Sequence, residues 1–182
     1  DGLQLTIGSS ERTVQVDART DCSGIGTVDL VIVLVKSFNT RAAIEGAQSL
    51  IGEHTRVLSL QNGLGNEEII EEVVGLRRVV GGRTFAGGAV LGPGKVKANV
   101  AGKPTFVGEL HGARSERVEE IADAFNAAGL EASVSENILG IMWDKLLVNV
   151  ATAALCGITR LPYGGLYSLP ELKEVALEAV AE

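Results

Sequence analysis

The chain has 182 residues, a formal net charge of -7, 46% hydrophobic and 21% charged residues, enough apolar material for one ordinary domain or one domain plus part of another. Intrinsic disorder is excluded, as are a nucleic-acid binder built on a basic surface and a polybasic membrane contact; a local basic pocket for a small anion is not. With 23 glycines and only 4% aromatics, the composition is typical of α/β folds with tight turns and close backbone packing.

Leu3–Ile7 and Thr13–Val16 alternate apolar and polar around GSSER, which predicts a β-hairpin. Val28–Lys36 (VDLVIVLVK) is a continuous β-branched run, the pattern of a strand buried on both faces of a parallel sheet. Thr40–Ile51 has helical periodicity and ends at Gly52, a C-cap candidate. Arg56–Leu60 (RVLSL) predicts a second buried strand before the turn QNGLG, and Glu67–Val74 a short helix ending at Gly75. Strand, helix, strand, turn, helix is the order of a doubly wound sheet.

Arg78–Val90 and Lys95–Ala101 are β-rich and separated by the turn signal Leu91-Gly92-Pro93-Gly94. Thr105–Gly108 predicts a short strand, Ser115–Ala128 an amphipathic helix closed by Gly129, and Glu131–Val134 a last strand. From Glu136 the pattern changes. Asn137–Leu155 predicts a long, mostly apolar helix, Gly157–Gly165 a loop, and Pro170 onward a further helix. The strand-rich half thus gives way to a helical half near residue 135. The longest apolar runs, such as Leu30–Val35, fall far short of a bilayer span. No signal-peptide pattern opens the chain, and beginning at Asp1 without Met and closing in a helical pattern, both ends read as cut.

Cys22 and Cys156 stand far apart with no CxxC spacing, and His54 and His111 complete no ligand cluster. Two buried free thiols in a reducing cytosol are expected, with no metal site and no disulfide. Gly24-Ile-Gly26 has no strand before it and a strand after it, the wrong context for a phosphate loop. Gly63-Leu-Gly65 follows a strand and opens a helix, but Glu68 replaces the third glycine. Glu67 and Glu68 would also repel a pyrophosphate at that helix terminus. Any main dinucleotide cradle is therefore expected upstream of Asp1.

Four residues carry candidate chemistry. Asn62 lies at the C-terminal edge of a predicted parallel strand, where α/β sheets place their ligand crevice. Its amide could serve a carboxamide, a ribose or a carbonyl, or simply be a turn residue before Gly63. Lys36 ends the VDLVIVLVK run at the same edge, as a snorkelling lysine or as a cation at the crevice. Lys145 and Asn149 are i and i+4 on one face of an apolar helix. There Lys145 is either a surface lysine paired with an acid such as Asp144, or a lysine in a polar cleft. Desolvation in a cleft would lower its pKa from about 10.4 into a range useful for proton transfer. Trp143, the only tryptophan, reads as a packing anchor.

VDLVIVLVKSFNT, SLQNGLGNEE, GGRTFAGGAVLGPGKVKAN and NILGIMWDKLLVNVATAAL together resemble the ketopantoate reductase (2-dehydropantoate 2-reductase) family in order and spacing, along essentially the whole chain. QNGLG and W-x-K-L-x-x-N are specific as a pair. The resemblance implies a Rossmann-like doubly wound sheet, incomplete at its N-terminus, over residues 1–134, followed by the start of an all-helical domain over 135–182. It also implies a cytoplasmic enzyme that reduces ketopantoate to pantoate with NADPH, on the route to pantothenate and coenzyme A.

By position, Lys36 resembles the family's lysine near the NADP cofactor. Asn62 resembles the asparagine that touches nucleotide and substrate, Lys145 the proton-donating lysine, and Asn149 a substrate-binding asparagine. The expected partner is a small 2-oxo acid, with no nucleic acid, no membrane and no metal; a homodimer is one assembly left open. Three features depart from the family. Its GxGxxG segment with the first strand and helix is not in this sequence. Nor is the later half of the helical domain, which supplies a serine and a glutamate. A second asparagine followed by proline is replaced by Ala153 and Ala154. Two other readings therefore stand beside the first: reduction of a different 2-oxo acid, and a nucleotide-binding sensor without catalysis.

Overall fold

The computed structural model describes residues 2–182. Its centre is a five-stranded mixed sheet in the order β3-β4-β5-β8-β9. Strands β3 (Leu30–Val33), β4 (Arg56–Ser59) and β5 (Val79–Thr84) run parallel, linked by helices α1 (Thr40–Gly46) and α2 (Asn66–Val74). Both helices cover one face, where Val33, Ile44, Val57, Ile70, Val74 and Val79 form a buried cluster. The β-branched strand residues suit a pleated sheet buried under helices. Strands β8 (Thr105–Gly108) and β9 (Ala132–Val134) complete the sheet, β8 antiparallel to β5 and β9 parallel to β8. Helix α3 (Glu116–Ala127) covers the opposite face over Leu58, Leu60, Val80 and Val107.

A second sheet, in the order β2-β1-β7-β6, stands apart from the first. It is built from β1 (Leu3–Ile7), β2 (Ser10–Val14), β6 (Gly87–Gly92) and β7 (Lys95–Asn99). The hairpin is tighter than GSSER suggested: Ser10 pairs with Ile7, so only Gly8 and Ser9 turn the chain. The order β3-α1-β4-α2-β5 agrees with the sequence reading, but β3 is not buried on both faces. Here it is the edge strand of the sheet, with Ile32 41% and Leu34 62% exposed. An open apolar groove remains between Leu30, Ile32, Leu34 and Phe125. Helix α1 is also shorter than predicted, ending at Gly46, with one 3-10 turn at Gln48–Leu50 before Ile51.

The helical part comprises α4 (Ile138–Thr159), α5 (Tyr163–Tyr167) and α6 (Pro170–Ala181). Asn137 caps α4, its side chain accepting from the Gly140 N–H at 2.9 Å. Helix α4 runs past Leu155 through Gly157, since an exposed helical glycine costs only about 1 kcal/mol against alanine. It stops where Arg160 takes a left-handed conformation (φ 59°). The Gly157–Gly165 segment is thus part helix, not one loop. The seat of α4 depends on two glycines paired across β5 and β8, Gly81 and Gly108. A Cβ at Gly81 would lie 3.1 Å from Met142, and one at Gly108 2.9 Å from the Ile138 Cβ. Their absence lets the first turns of α4 press onto the sheet.

At 22 residues with a mean hydropathy of 1.5, α4 meets the length and composition of a bilayer span. Asp144, Lys145 and Asn149 had broken the apolar run in the sequence and hidden this. It packs against β5, β8, α5 and α6. Trp143, expected as a packing anchor, is 53% exposed here. Cys22 and Cys156 are free but half-buried rather than buried. Among the described residues no group of three or more His, Cys, Asp or Glu could hold a metal.

Candidate active site

The turn after β4 is built by a ladder of buried amides and hydroxyls. Gly63 and Gly65 (φ 92° and 87°) occupy the left-handed region that lets the chain reverse from β4 into α2. Gln61 Nε2 donates to the Val35 carbonyl (2.7 Å) and to Thr40 Oγ1 (2.8 Å). Thr40 Oγ1 donates to Asn66 Oδ1 at 3.0 Å, and Asn66 Nδ2 donates to the Asn62 carbonyl at 3.2 Å. The ends of β3 and β4 and the starts of α1 and α2 are thereby locked together around Asn62.

The Asn62 side chain is exposed, and its Oδ1 accepts from Arg83 Nη1 at 3.1 Å. That bond fixes the amide with its oxygen inward and leaves Nδ2 to donate outward. Arg83, near the end of β5, is 3% exposed. Its Nε and Nη2 have no partner, and burial pushes its pKa down to about 10. Its guanidinium carbon lies 5.4 Å from the Phe85 ring centroid.

Lys145 reaches the same place from α4. It is half-buried, and its Nζ donates to the Thr84 carbonyl at 3.3 Å. The same Nζ stands 5.4 Å from the Phe85 centroid. Phe85 therefore has two cations against it, Arg83 from the sheet and Lys145 from the helix, and is held edge-on by Phe106 at 6.3 Å. Both contacts are of cation–π type. Because β4 and β5 are parallel, Thr84 and Asn62 share the C-terminal edge of the sheet, where α/β folds take ligands.

Asn149 is half-buried one turn beyond Lys145 on α4, and Ala153 is exposed a further turn on. Lys36 follows β3 at the same edge as Asn62, exposed and introducing a 3-10 turn. The structure joins Asn62 and Lys145 through Arg83 and Phe85; it draws no hydrogen bond from Lys36 or Asn149 to either. Lys145 makes no ion pair with Asp144, the alternative open to it from sequence.

Arg83, Thr84 and Phe85 were missed by the sequence reading, which took Arg78–Val90 as strand only. The available signal was a charged residue beside an aromatic at the end of an apolar strand. Glu67 also behaves differently from expectation: it is buried in the first turn of α2, and burial pushes its carboxyl up, with the Ser59 hydroxyl pulling the other way. Of the two glutamates, only the exposed Glu68 faces solvent at that turn. A cavity of about 610 Å³ lies elsewhere, between α2 and the start of α4, lined by Glu67, Glu71, Arg77, Glu109, Arg117 and Leu139 among others, and by none of the four predicted residues.

A family model described as ketopantoate reductase PanE/ApbA matches residues 1–112, and the model of its C-terminal part matches residues 137–182. The chain is 38% identical to a 2-dehydropantoate 2-reductase of Pyrococcus horikoshii, over all of this chain and 58% of that protein. The solved structure of 2-dehydropantoate 2-reductase from Geobacter metallireducens GS-15 aligns with TM-score 0.90 at 29% identity, over 100% of this chain and 62% of that one. A D-mandelate dehydrogenase, solved with NADH and anilino(oxo)acetate, aligns with TM-score 0.88 at 27% identity, over 96% of this chain and 56% of that one. The chain spans about 58–60% of the length of curated relatives that it matches along its whole extent.

Proposed function

The chain belongs to the ketopantoate reductase PanE/ApbA family, and from that premise we propose that the protein carrying it reduces ketopantoate to pantoate with NADPH. The observation that carries this reading is Lys145 Nζ held at the Thr84 carbonyl, over Phe85, on the sheet edge that also presents Asn62. A half-buried ammonium and an outward-facing amide donor at the same edge of the sheet suit a substrate that is both an anion and a carbonyl compound.

The residues present fit a nicotinamide nucleotide in part. Lys36 and Asn62 lie beyond the ends of neighbouring parallel strands, and Asn62 Nδ2 is unspent, so they would meet its ribose or carboxamide. Neither glycine pair of this chain makes a phosphate loop. When bound, the nicotinamide would supply the hydride. Lys145 then acts on the substrate oxygen: as negative charge grows there, the ammonium stabilises it and gives up a proton. Asn62 and Asn149 hold the substrate carboxylate and carbonyl in register with Lys145. In this reading residues 1–134 are the nucleotide half and 135–182 the start of the helical half of a cytoplasmic enzyme.

A second reading, another 2-oxo acid as substrate, is favoured by one observation. Ala153, exposed on the Lys145 face of α4, offers a methyl where the family resemblance implies an amide. Steady-state kinetics of the full-length protein decide between them, with NADPH or NADH against ketopantoate, 2-oxoisovalerate and phenylglyoxylate. The expected result is the highest kcat/KM for ketopantoate with NADPH. Ala153→Asn should shift the ratio further toward ketopantoate by about one hydrogen bond, ~1 kcal/mol. A preference for phenylglyoxylate or 2-oxoisovalerate would establish the second reading. No nucleotide oxidation with any 2-oxo acid would remove both and leave a non-catalytic nucleotide-binding protein.

A further inference from the structure

We infer that Arg83 is a positioning residue that turns Asn62 into an outward hydrogen-bond donor, so that the group met at Asn62 is an acceptor, a carboxylate or carbonyl oxygen of the 2-oxo acid. The inference deepens the proposed reaction and rests on it for the identity of the ligand. A terminal amide rotates readily, and its two ends differ in chemistry: one accepts, the other donates. An exposed asparagine with no internal partner presents either end. Asn62 has one such partner, Arg83 Nη1, which can only donate and so claims Oδ1 (3.1 Å). The amide nitrogen is left facing the open side, and the Asn66 bond to the Asn62 carbonyl holds the backbone beneath it.

Arg83 is poorly explained as a structural element. It is 3% exposed, yet two of its nitrogens, Nε and Nη2, lack any partner. Among the described residues no carboxylate pairs with it; its remaining contact is the face of Phe85. An uncompensated buried cation is costly to a fold. At this place, however, it gives a fixed positive charge behind the amide, little screened by water, for an incoming anion. Lys145 stands against the same Phe85 ring, so an incoming anion would meet one cation behind its binding amide and a second from α4.

The test compares Arg83→Met and Arg83→Lys in the full-length protein, each with and without Asn62→Ala. In the ligand-free protein, the Asn62 side-chain amide resonances, assigned by their loss in Asn62→Ala, should shift and broaden in Arg83→Met and return toward wild type in Arg83→Lys. In turnover, Arg83→Met should raise KM for the 2-oxo acid about 10- to 100-fold, the loss of a hydrogen bond to a charged group. The nucleotide also meets Asn62 in this reading, so its KM should rise too, but by less than that for the 2-oxo acid, and Arg83→Lys should recover most of both losses. In the Asn62→Ala background Arg83→Met should add less than about threefold, since residues acting through one another are not additive.

Unchanged amide resonances in Arg83→Met would overturn the inference, as would an equal KM effect with Asn62 already removed. Should Arg83→Met fail to fold, Arg83→Lys carries the test: an amide spectrum as broadened as that of an unrestrained asparagine overturns the inference. A wild-type protein that reduces no 2-oxo acid would sink the proposed reaction, while the amide spectrum would still report on the Arg83–Asn62 link.

Discussion

Lys145 illustrates how much of a residue's meaning lies outside its own helix. Its neighbours Leu146, Leu147 and Val148 say only that the helix is apolar. The contact with Thr84 and Phe85 comes from a segment 61 residues away. If Lys145 is the proton donor, Lys145→Ala in the full-length enzyme should lower kcat by about 10²–10⁴-fold at saturating nucleotide. Stability should hold nearly constant, because its one hydrogen bond is to a carbonyl that solvent can also serve. A surface lysine would instead give near-normal turnover, and a kcat within about threefold of wild type removes Lys145 from the mechanism.

At the scale of elements, the seat of α4 decides whether Lys145 reaches the sheet edge at all. Gly108 lies where a Cβ would come 2.5 Å from the Ser135 carbonyl oxygen and 2.9 Å from the Ile138 Cβ. Neither neighbour can yield without shifting the start of α4. Gly108→Ala should therefore cost about 1–3 kcal/mol of unfolding free energy, the usual range for overpacking, with a parallel loss of kcat. Gly157, inside the same helix, has open space around its Cβ position. Gly157→Ala should stabilise by about 0.5–1 kcal/mol, by helix propensity alone. Urea unfolding of the two variants gives opposite signs; a neutral Gly108→Ala would show that α4 does not depend on this contact.

Across the whole molecule, Glu109 ties the far end of the sheet together. Its carboxylate, after β8, accepts from Arg117 Nε (2.6 Å) and Ser115 Oγ (2.5 Å) on the α3 side. Arg117 also donates to the carbonyls of Arg77 and Val79, which lead into β5. Burial alone would push the Glu109 carboxyl up, but the Arg117 and Ser115 hydrogen bonds outweigh it and hold the pKa below the ordinary carboxylate range. An acid with a depressed folded pKa stabilises fully above its unfolded pKa, and that stability is lost as pH falls through the folded value. Glu109→Gln should thus cost about 3–5 kcal/mol near pH 7, the range for breaking a buried pair, and the difference should shrink in acid below the ordinary carboxylate range. Thermal unfolding as a function of pH checks this: a gap that stays constant into acid would mean the charge of Glu109 contributes nothing.

The order of strands and helices was legible because local patterning encodes it. β-branched runs bounded by glycine turns, and a helix stop such as Gly75, act over a few residues. The Asn62 turn and the Lys145–Asn149 face could be found for the same reason. What packs beside a strand is not local: VDLVIVLVK has the composition of a doubly covered strand, yet Ile32 and Leu34 are open at the edge of this sheet. The same holds for Arg83 and Phe85. Their pattern is an unremarkable strand end, and their partners Asn62 and Lys145 lie 21 and 60 residues distant in sequence. The sequence by itself determined the α/β class, the change to helices near residue 135 and four candidate residues. Tertiary structure alone decided that a buried arginine meets Asn62 and that one aromatic ring gathers two cations, because such contacts arise from packing across β4, β5 and α4.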